Sequence, residues 1–409
     1  MTSSTESNSE KQKETIPDDL LEKIRTSVNY CYSCNRCVNV CPLAHLDIFS
    51  PRRLINDLAF LSLEQALQNN NVWLCLTCGQ CNTYCPMTEG KQGVNIPELI
   101  LELRKIAKNL DFETEKIEQC ETHDGMFPLI ARLQADNPQP PDKLDFLRDS
   151  GLETVQTGKV AYFVGCLPIM EDVIYRFPVK YIRSAKSIIG LLNEGDITPV
   201  VLNEKCCGHD LLWGQADEET FQKLVEYNVK LYRDAGVETI VFGCAEGYKT
   251  WKYDYPKYVD DMSFEIIHFT EYLLKNDILE HLRFPQELDI TVTYHDACRL
   301  GRLGDRLYEP PREIIKRIPG VKLIEMSNIK DDARCCGVSA FSGCNEYTRL
   351  LRKRRIEEAA NTGAEYLLAS CPKCITHFNC YLNEPGLESK PKIKVMDLAS
   401  FIGELLFLV

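Results

Sequence analysis

The run Arg334-Cys335-Cys336-Gly337 is the most informative part of the C-terminal half of this chain. Three more cysteines accompany it: 36 residues separate Cys298 from Cys335, and 34 separate Cys336 from the run Cys371-Pro372-Lys373-Cys374. Single buried cysteines are common, but an adjacent pair combined with a CxxC run is not. Thiolates are the usual ligands of zinc and of iron–sulfur clusters. The pattern therefore predicts one metal site formed by Cys298, Cys335, Cys336, Cys371 and Cys374.

The same arrangement occurs earlier in the chain with one cysteine fewer. Cys166 is separated by 39 residues from Cys206-Cys207-Gly208, and 36 residues separate that pair from Cys244. Where the later copy has Cys374, the earlier copy has Gly247. Two copies of one pattern predict an internal duplication. The earlier copy offers an incomplete site for a cluster or a zinc ion, with the ligands Cys166, Cys206, Cys207 and Cys244.

Two runs with the spacing CxxCxxCxxxCP precede both copies, at residues 31–42 and 75–86. In bacterial two-cluster ferredoxins with this spacing, the fourth cysteine of each run ligates the other cluster. The spacing predicts one [4Fe–4S] cluster on Cys31, Cys34, Cys37 and Cys85, and a second on Cys75, Cys78, Cys81 and Cys41. Zinc is the alternative, although zinc sites do not need this spacing twice. Two such cubane clusters would form an electron relay.

Composition limits the classes of function. The 409 residues are 44% hydrophobic and 26% charged, as in a soluble protein of several domains. The net charge of −13 argues against binding nucleic acid. The clustering of the 20 cysteines favours metal ligation over disulfides. The N-terminus lacks a signal peptide, and no apolar run reaches the ~18 residues of a membrane span. We expect a cytoplasmic protein; peripheral association with a membrane complex remains open.

The pattern of apolar residues divides the chain. We predict a disordered arm over 1–16, a helical ferredoxin-like domain over 17–110, a linker over 111–158, and two modules over 159–285 and 286–409. From Lys159 onward, short apolar runs alternate with helical segments, which predicts βα units with parallel sheets. Strands are predicted within 159–166, 197–202, 238–244, 289–298, 321–326 and 365–371. Helices are predicted over 17–27, 52–68 (one or two), 95–110, 172–193, 219–236 and 345–363.

Two ferredoxin motifs followed by two CX(n)CCG…CxxC repeats resemble the family of the D-type subunit of heterodisulfide reductase. Its split form (the B-type and C-type subunits) and the glycolate oxidase iron–sulfur subunit have the same layout. The resemblance runs from about Thr26 to Phe378. It implies an α+β multidomain fold, with an N-terminal α-helical domain holding two [4Fe–4S] cubanes and then two α/β modules, called CCG modules here. It also implies a non-cubane [4Fe–4S] cluster on the five later cysteines, where a disulfide can be cleaved in two one-electron steps.

The chain departs from that family in two places. Gly247 removes the fifth ligand of the first CCG module, so we expect reductive disulfide cleavage to be poor or absent. The run Val338-Ser339-Ala340-Phe341 replaces a glycine-rich segment after Cys336, and its larger side chains are expected to crowd the space over the second cluster.

The first function hypothesis is an iron–sulfur electron-transfer subunit of a multisubunit oxidoreductase. It would relay single electrons between the ferredoxin-type clusters and the second CCG site. No nucleotide or flavin motif is evident, so we expect other redox subunits as partners, with a flavin- or hydrogenase-type electron donor. The alternative is a catalytic heterodisulfide reductase subunit, which cleaves a disulfide of the coenzyme M–coenzyme B type. A third possibility, a redox-inactive scaffold held by zinc, would be colourless, whereas an iron–sulfur protein is brown.

Several other residues adjoin these motifs. His209, His295 and Asp296 could donate protons or hydrogen bonds to cluster sulfur; alternatively, His295 and Asp296 cap the turn that presents Cys298. The remaining cysteines, Cys120, Cys344 and Cys380, are interpreted as small buried apolar residues. The basic run from Arg349 to Arg355 is interpreted as a solvated or partner-facing helix surface.

Overall fold

The computed structural model describes residues 18–88, 93–110, 126–140, 142–174, 178–285, 288–337, 346–387 and 390–406. The predicted N-terminal arm, Cys120, Cys344 and the run Val338–Phe341 lie outside these ranges. Helices and two parallel sheets share the described chain, which confirms the predicted α+β multidomain class. Within the described ranges, no helix combines the length and the apolar character needed to cross a membrane.

The N-terminal part is helical. Its helices are α1 (Asp18–Asn29), α2 (Arg36–Val40), α3 (Pro51–Phe60), α4 (Leu63–Asn69), α5 (Gln80–Tyr84) and α6 (Ile96–Asn109). The segment 52–68 forms two helices because Ser62 begins a new one. Its hydroxyl accepts from the Gln65 backbone N–H, and the Gln65 side chain accepts from the Ser62 backbone N–H. Helices α2 and α5 lie inside the two cysteine runs and pack against each other.

The rest of the chain begins with α7 (Met126–Asp136) and continues as two similar modules. The first contains β1 (Val160–Phe163), α8 (Leu167–Val173), α9 (Tyr181–Glu194), α10 (His209–Gln215), α11 (Glu218–Asp234), β2 (Thr239–Phe242), α12 (Ala245–Lys249), β3 (Glu265–His268) and α13 (Phe269–Lys275). The second contains β4 (Ile290–His295), α14 (Glu309–Arg317), β5 (Val321–Leu323), α15 (Glu346–Ala360), β6 (Tyr366–Ala369), α16 (Pro372–Leu382), β7 (Lys394–Asp397) and α17 (Leu398–Leu405).

Both sheets are parallel, with the orders β1-β2-β3 and β5-β4-β6-β7. The predicted strand over 197–202 is wrong. Val200 alone forms β-bridges there, with Ala161 on one side and Val155 on the other, and these isolated bridges do not make a strand. The preceding residue, Pro199, has no N–H to extend the ladder. Strands β3 and β7, of four residues each, were not predicted.

The single helix predicted over 172–193 is also wrong. Helix α8 ends at Val173 and α9 begins at Tyr181, and Pro178 lies between them. Proline lacks the N–H that a helix interior needs and disfavours helical backbone in the residue before it. The apolar periodicity continues through the break and therefore does not reveal it.

The two modules pack closely against each other. Helix α17 lies on α9, and a Cβ at Gly403 would be 2.1 Å from Ser187 Oγ, so only glycine permits this approach. The Ala245 N–H donates to the Ser370 carbonyl at 3.2 Å, between the ends of β2 and β6. Cysteines follow the carboxyl ends of four strands in the two modules, where α/β sheets place their ligand sites. Packing thus brings two cysteine-bearing edges together.

Candidate metal centres

An outer group of thiols lies at the protein surface. The structure brings together the four residues that the spacing predicts, Cys31, Cys34, Cys37 and Cys85. Burial raises the pKa of the Cys37 thiol to about 11, and the thiols of Cys31, Cys85 and Cys34 add to the rise. Cys34 is exposed, and the Tyr32 side chain beside it is 58% exposed. One side of this group is therefore exposed to solvent.

An inner group lies deeper and consists of Cys41, Cys75, Cys78 and Cys81. Burial raises the pKa of Cys41 to about 12, with Cys78 and Cys75 adding to the rise, and it raises the pKa of Cys75 to about 11. All four thiols line one cavity. Buried thiols hold their protons until a metal displaces them. The donor set thus fits an iron–sulfur cluster.

Each CxxC loop is shaped by two residues with left-handed backbone. They are Ser33 (φ 59°) and Asn35 (φ 67°) in the first run, and Thr77 (φ 46°) and Gly79 (φ 76°) in the second. Asn35 and Gly79 tolerate this conformation and start α2 and α5. Thr77 is β-branched, and its left-handed backbone must be held by surrounding structure.

Three guanidinium groups hold the loop from Cys75 to Cys78. Arg104 donates to the carbonyl of Cys75 at 2.6 Å, Arg299 to that of Thr77 at 2.6 Å, and Arg302 to that of Cys78 at 3.0 Å. Arg104 and Arg299 are fully buried, and burial lowers the pKa of Arg104 to about 10. Among the described residues, none of the three has a carboxylate within ion-pair distance. All three were missed in the sequence, since Arg104 lies far along the chain from Arg299 and Arg302 and none of the three belongs to a recognised motif.

A five-thiol group lies in the second CCG module and contains Cys298, Cys335, Cys336, Cys371 and Cys374. A hydrogen bond with Cys336 raises the pKa of Cys335, and the charge of Cys298 adds to the rise. The Cys374 thiol lies within hydrogen-bonding reach of Cys336 and Cys371. A hydrogen bond from Cys244 and one from Cys374 lower the pKa of Cys371, so a thiolate is favoured there. The structure thus brings all five predicted residues together.

The glycine of each CCG tripeptide has a structural reason. The Gly337 N–H donates to Cys335 Sγ at 3.4 Å, and the Gly208 N–H donates to Cys206 Sγ at 3.4 Å. Both glycines have positive φ, 103° and 78°. A Cβ at Gly337 would lie 2.7 Å from a backbone oxygen of Thr348. Only glycine therefore lets the backbone turn and hydrogen-bond the first sulfur of the pair.

One histidine beside the five-thiol group was missed. His377 Nδ1 lies 3.8 Å from Cys336 Sγ, and the histidine is fully buried in α16. It stands three residues after Cys374, a spacing that places both on one helix face. That spacing is the sequence signal that could have identified it.

A four-thiol group lies in the first CCG module. Cys166 Sγ and Cys206 Sγ are 3.0 Å apart. The pKa of the Cys207 thiol is raised by Cys206, and Cys166 and Cys244 add to the rise. The four thiols line one cavity, which Gly247 also borders. In the described ranges, no three Cys, His, Asp or Glu side chains form a ready-made site for a single metal ion. The four thiols instead lie around the walls of this cavity.

A buried ion pair positions the Cys166 loop. Lys143 Nζ lies 3.1 Å from Glu204 Oε1 and donates to the Gly165 carbonyl at 2.6 Å, while the Gly165 N–H donates to Glu204 at 2.7 Å. Both charged side chains are almost completely buried. Lys143 belongs to the segment predicted as a linker, and that end of it packs against the first module.

Removing one partner of this pair is expected to destabilise the protein. Lys143→Met leaves the Glu204 carboxylate buried and unpaired, so we expect the free energy of unfolding to fall by about 3–5 kcal/mol. Urea unfolding of the purified protein measures this. The control is Arg148→Gln, which removes an ion pair with Asp145 whose side chains are 74% and 68% exposed and which should contribute about 0–1 kcal/mol. Equal losses in the two variants would contradict the assignment.

Each thiol group lies near the next. The Cys78 thiol of the inner group lies within hydrogen-bonding reach of Cys335 in the five-thiol group. The Cys244 thiol of the first module likewise lies within hydrogen-bonding reach of Cys371 in the second module. Burial raises the pKa of Cys81 in the inner group, and charge on Cys37 of the outer group adds to the rise. The four groups therefore form one continuous series across the protein.

The polar residues singled out in the sequence have other partners than sulfur. His209 Nδ1 lies 2.8 Å from Thr250 Oγ1, and its Nε2 accepts from Arg299 at 3.1 Å. His295 Nδ1 accepts from Arg355 at 3.1 Å. Burial lowers the pKa of both histidines, with the neighbouring arginines adding to the effect.

Asp296 has its partners outside the turn that presents Cys298, so it does not cap that turn as the alternative interpretation expects. Its carboxylate binds Arg312 at 2.7 and 3.0 Å and accepts from the Lys330 N–H at 2.7 Å. It fixes the segment before Cys298.

The interpretation of the basic run as a solvated surface is wrong for two of its residues. Arg352 and Arg355 are 3% and 0% exposed. Arg355 donates to the Asn328 carbonyl and pairs with Glu358 at 2.9 Å, and so ties α15 to the His295 strand end. The apolar stripe of α15 is weak, so the sequence does not show which arginines face inward. The leftover Cys380 is half-buried in α16.

Comparisons with known proteins agree with this architecture. A 4Fe–4S dicluster domain family matches residues 12–88, and a cysteine-rich domain family, CCG, matches residues 160–247 and again 292–379. The second family thus matches both predicted copies.

Several curated proteins are similar to most of this chain. An uncharacterized iron–sulfur protein of Methanococcus maripaludis is 30% identical, over 95% of this chain and 75% of that protein. The D-type subunit of the dihydromethanophenazine:CoB–CoM heterodisulfide reductase of Methanosarcina acetivorans is 30% identical, over 73% of this chain and 70% of that protein. The B-type subunit of the CoM/CoB fumarate reductase of Methanothermobacter marburgensis is 26% identical, over 90% of this chain and 71% of that protein.

Proposed function

Because this chain belongs to the heterodisulfide reductase D-like family of CCG iron–sulfur proteins, we propose that it relays single electrons within a multisubunit oxidoreductase. It is an iron–sulfur redox subunit with [4Fe–4S] clusters. The relay connects two ferredoxin-type clusters with a cluster in the second CCG module. The observation that carries the proposal is the direct approach of Cys78 to Cys335, since it joins the inner group to the five-thiol group.

The residues fit specific cofactors. The outer and inner groups would each hold a [4Fe–4S] cubane, and the five-thiol group a non-cubane [4Fe–4S] cluster. The four-thiol group, which lacks a thiol at Gly247, would hold a fourth cluster or zinc. When bound, these clusters supply reversible one-electron transfer. The protein's own residues bury the thiols, orient their loops and keep neighbouring groups in contact.

Electrons enter or leave at the outer group. Among the described ferredoxin-type cysteines, Cys34 is exposed, whereas Cys41 and Cys78 of the inner group are buried. Beside it lie the exposed side chains of Tyr32 and Arg36, and aromatic and arginine side chains are enriched at protein interfaces. The partner would be another redox subunit with a flavin or a hydrogenase-type centre. Relatives named as a fumarate reductase subunit and as an EtfAB:quinone oxidoreductase are consistent with this.

A catalytic role at the five-thiol group is the second candidate. Its five thiols are complete, as in a protein that cleaves a disulfide of the coenzyme M–coenzyme B type. Two electrons and two protons would convert one disulfide into two thiols. A missing ligand at Gly247 favours the relay, because reductive cleavage between two facing non-cubane clusters would need both groups complete.

Iron and acid-labile sulfide per chain, after anaerobic purification, test the proposal. Clusters at the outer, inner and five-thiol groups give about 12 irons. About 16 irons would show the four-thiol group filled as well and would move disulfide cleavage to first place. About 8 irons would contradict a cluster at Cys335 and Cys336.

A further inference from the structure

The loop from Cys75 to Cys78 carries an unusual concentration of positive charge. Arg104 comes from α6, while Arg299 and Arg302 follow Cys298 in the second module. Each donates to a different backbone carbonyl of this short loop, at 2.6 to 3.0 Å. Arg299 also donates to Thr77 Oγ1 at 2.9 Å and to His209 at 3.1 Å, so one side chain joins three cysteine-bearing segments.

Carbonyl oxygens alone do not compensate the charges of the buried guanidinium groups of Arg104 and Arg299 or of the half-buried Arg302. A charge removed from water is costly unless an opposite charge lies nearby. Among the described residues these three arginines have no carboxylate within ion-pair distance, and the negative neighbours of Arg104 and Arg302 would be Cys75 and Cys78 as the thiolates of a bound cluster. A [4Fe–4S] cluster with four thiolates carries a net negative charge, and reduction adds one more. Fixed positive charges in a buried site favour the more negative state.

The outer group has no comparable arrangement among the described residues. Arg36 beside it is exposed, and Arg52 donates to the Asn35 side chain at 2.7 Å rather than to a cysteine carbonyl. Water and salt screen an exposed charge strongly. The two ferredoxin-type sites thus have similar ligands but different electrostatic surroundings.

We propose that Arg104, Arg299 and Arg302 make the inner cluster the more readily reduced of the two ferredoxin-type centres. An electron that arrives at the outer cluster moves inward and is held beside Cys335 for the second CCG module. The three arginines are positioning and charge-setting residues and transfer no electrons themselves. The inference rests on the proposed relay, because it requires that both groups of four thiols hold clusters.

Redox titration monitored by electron paramagnetic resonance tests this on the purified holoprotein. In Arg302→Gln and in Arg299→Gln, we expect the same one of the two ferredoxin-type potentials to fall. The fall should be at least tenfold in the reduction equilibrium constant, which is about 59 mV for a one-electron step. Arg302→Lys keeps the charge and should shift that potential by less than about threefold in the same constant. Arg36→Gln, at the exposed outer group, should leave the same potential unchanged.

Iron analysis of each variant separates charge from structure. If Arg299→Gln loses iron, the comparison of Arg302→Gln with Arg302→Lys decides, since Arg302 is only half-buried. An unchanged potential in an iron-replete Arg302→Gln protein would overturn the inference, as would equal shifts, or equal loss of iron, in the glutamine and lysine variants. Failure of the relay itself would look different: the wild-type protein would then lack two ferredoxin-type signals.

Discussion

Cys335→Ser is expected to lower the iron content by about four per chain, from about 12 to about 8. Cys335 is 4% exposed and lies among Cys336, Cys298 and the inner-group thiol of Cys78. Serine has a similar shape but does not provide the soft thiolate that iron–sulfur clusters require. The variant should also retain reducible ferredoxin-type clusters while the signal of the second CCG site disappears.

Two matched controls make this result specific. Cys380→Ser changes a half-buried cysteine in the same module, on α16, outside the five-thiol group, and should keep the full iron content. Cys206→Ser changes the equivalent residue of the first module and should remove zinc or nothing if that module holds no cluster. An unchanged iron content in Cys335→Ser would contradict a cluster at the CCG tripeptide. Loss of all iron would indicate misfolding, which the Cys380 control and the far-ultraviolet circular dichroism would reveal.

Gly247→Cys is expected to raise the iron content by about four per chain, to about 16. Gly247 occupies the place in the first module that Cys374 occupies in the second. A Cβ there would lie 3.8 Å from the Cys244 Cβ and 3.3 Å from the nearest atom of Phe242, so the ring must move by only a few tenths of an ångström. The position lies in α12 and borders the cavity of the four-thiol group. The new thiol would complete a five-thiol set.

Gly247→Ala is the control for this gain. It places the same Cβ against Phe242 without adding a thiol, so its iron content should equal that of the wild type. An iron content that stays at about 12 in Gly247→Cys would mean that something besides the missing ligand keeps the first site from binding a cluster. Reduction of a disulfide by Gly247→Cys but not by the wild type would show that the missing ligand separates a relay protein from a disulfide reductase.

Elements whose own residues carry a clear apolar pattern were predicted from the sequence, whatever their length. Helices α6, α11 and α15 and strands β1, β2 and β4 follow apolar patterns that their own residues carry. The strand predicted around Val200 failed because Pro199 lacks a ladder N–H, and the helix predicted through Pro178 failed because periodicity does not register a break. Arg352 and Arg355 were misread as surface residues, since their burial depends on partners from other elements.

Which cysteines belong together follows from the order of residues along the chain. Ligand spacing is a local property, since a cluster demands several thiols within a short stretch of chain or at repeated intervals. The duplication and the missing ligand at Gly247 can likewise be recognised from the sequence alone. What surrounds each group, and how the groups connect, depends instead on the packing of the folded chain. The contacts of Cys78 with Cys335 and of Cys244 with Cys371 join residues far apart in the chain. The burial and the electrostatic surroundings of a residue depend on all of its neighbours in the folded structure, and no sequence motif reveals them.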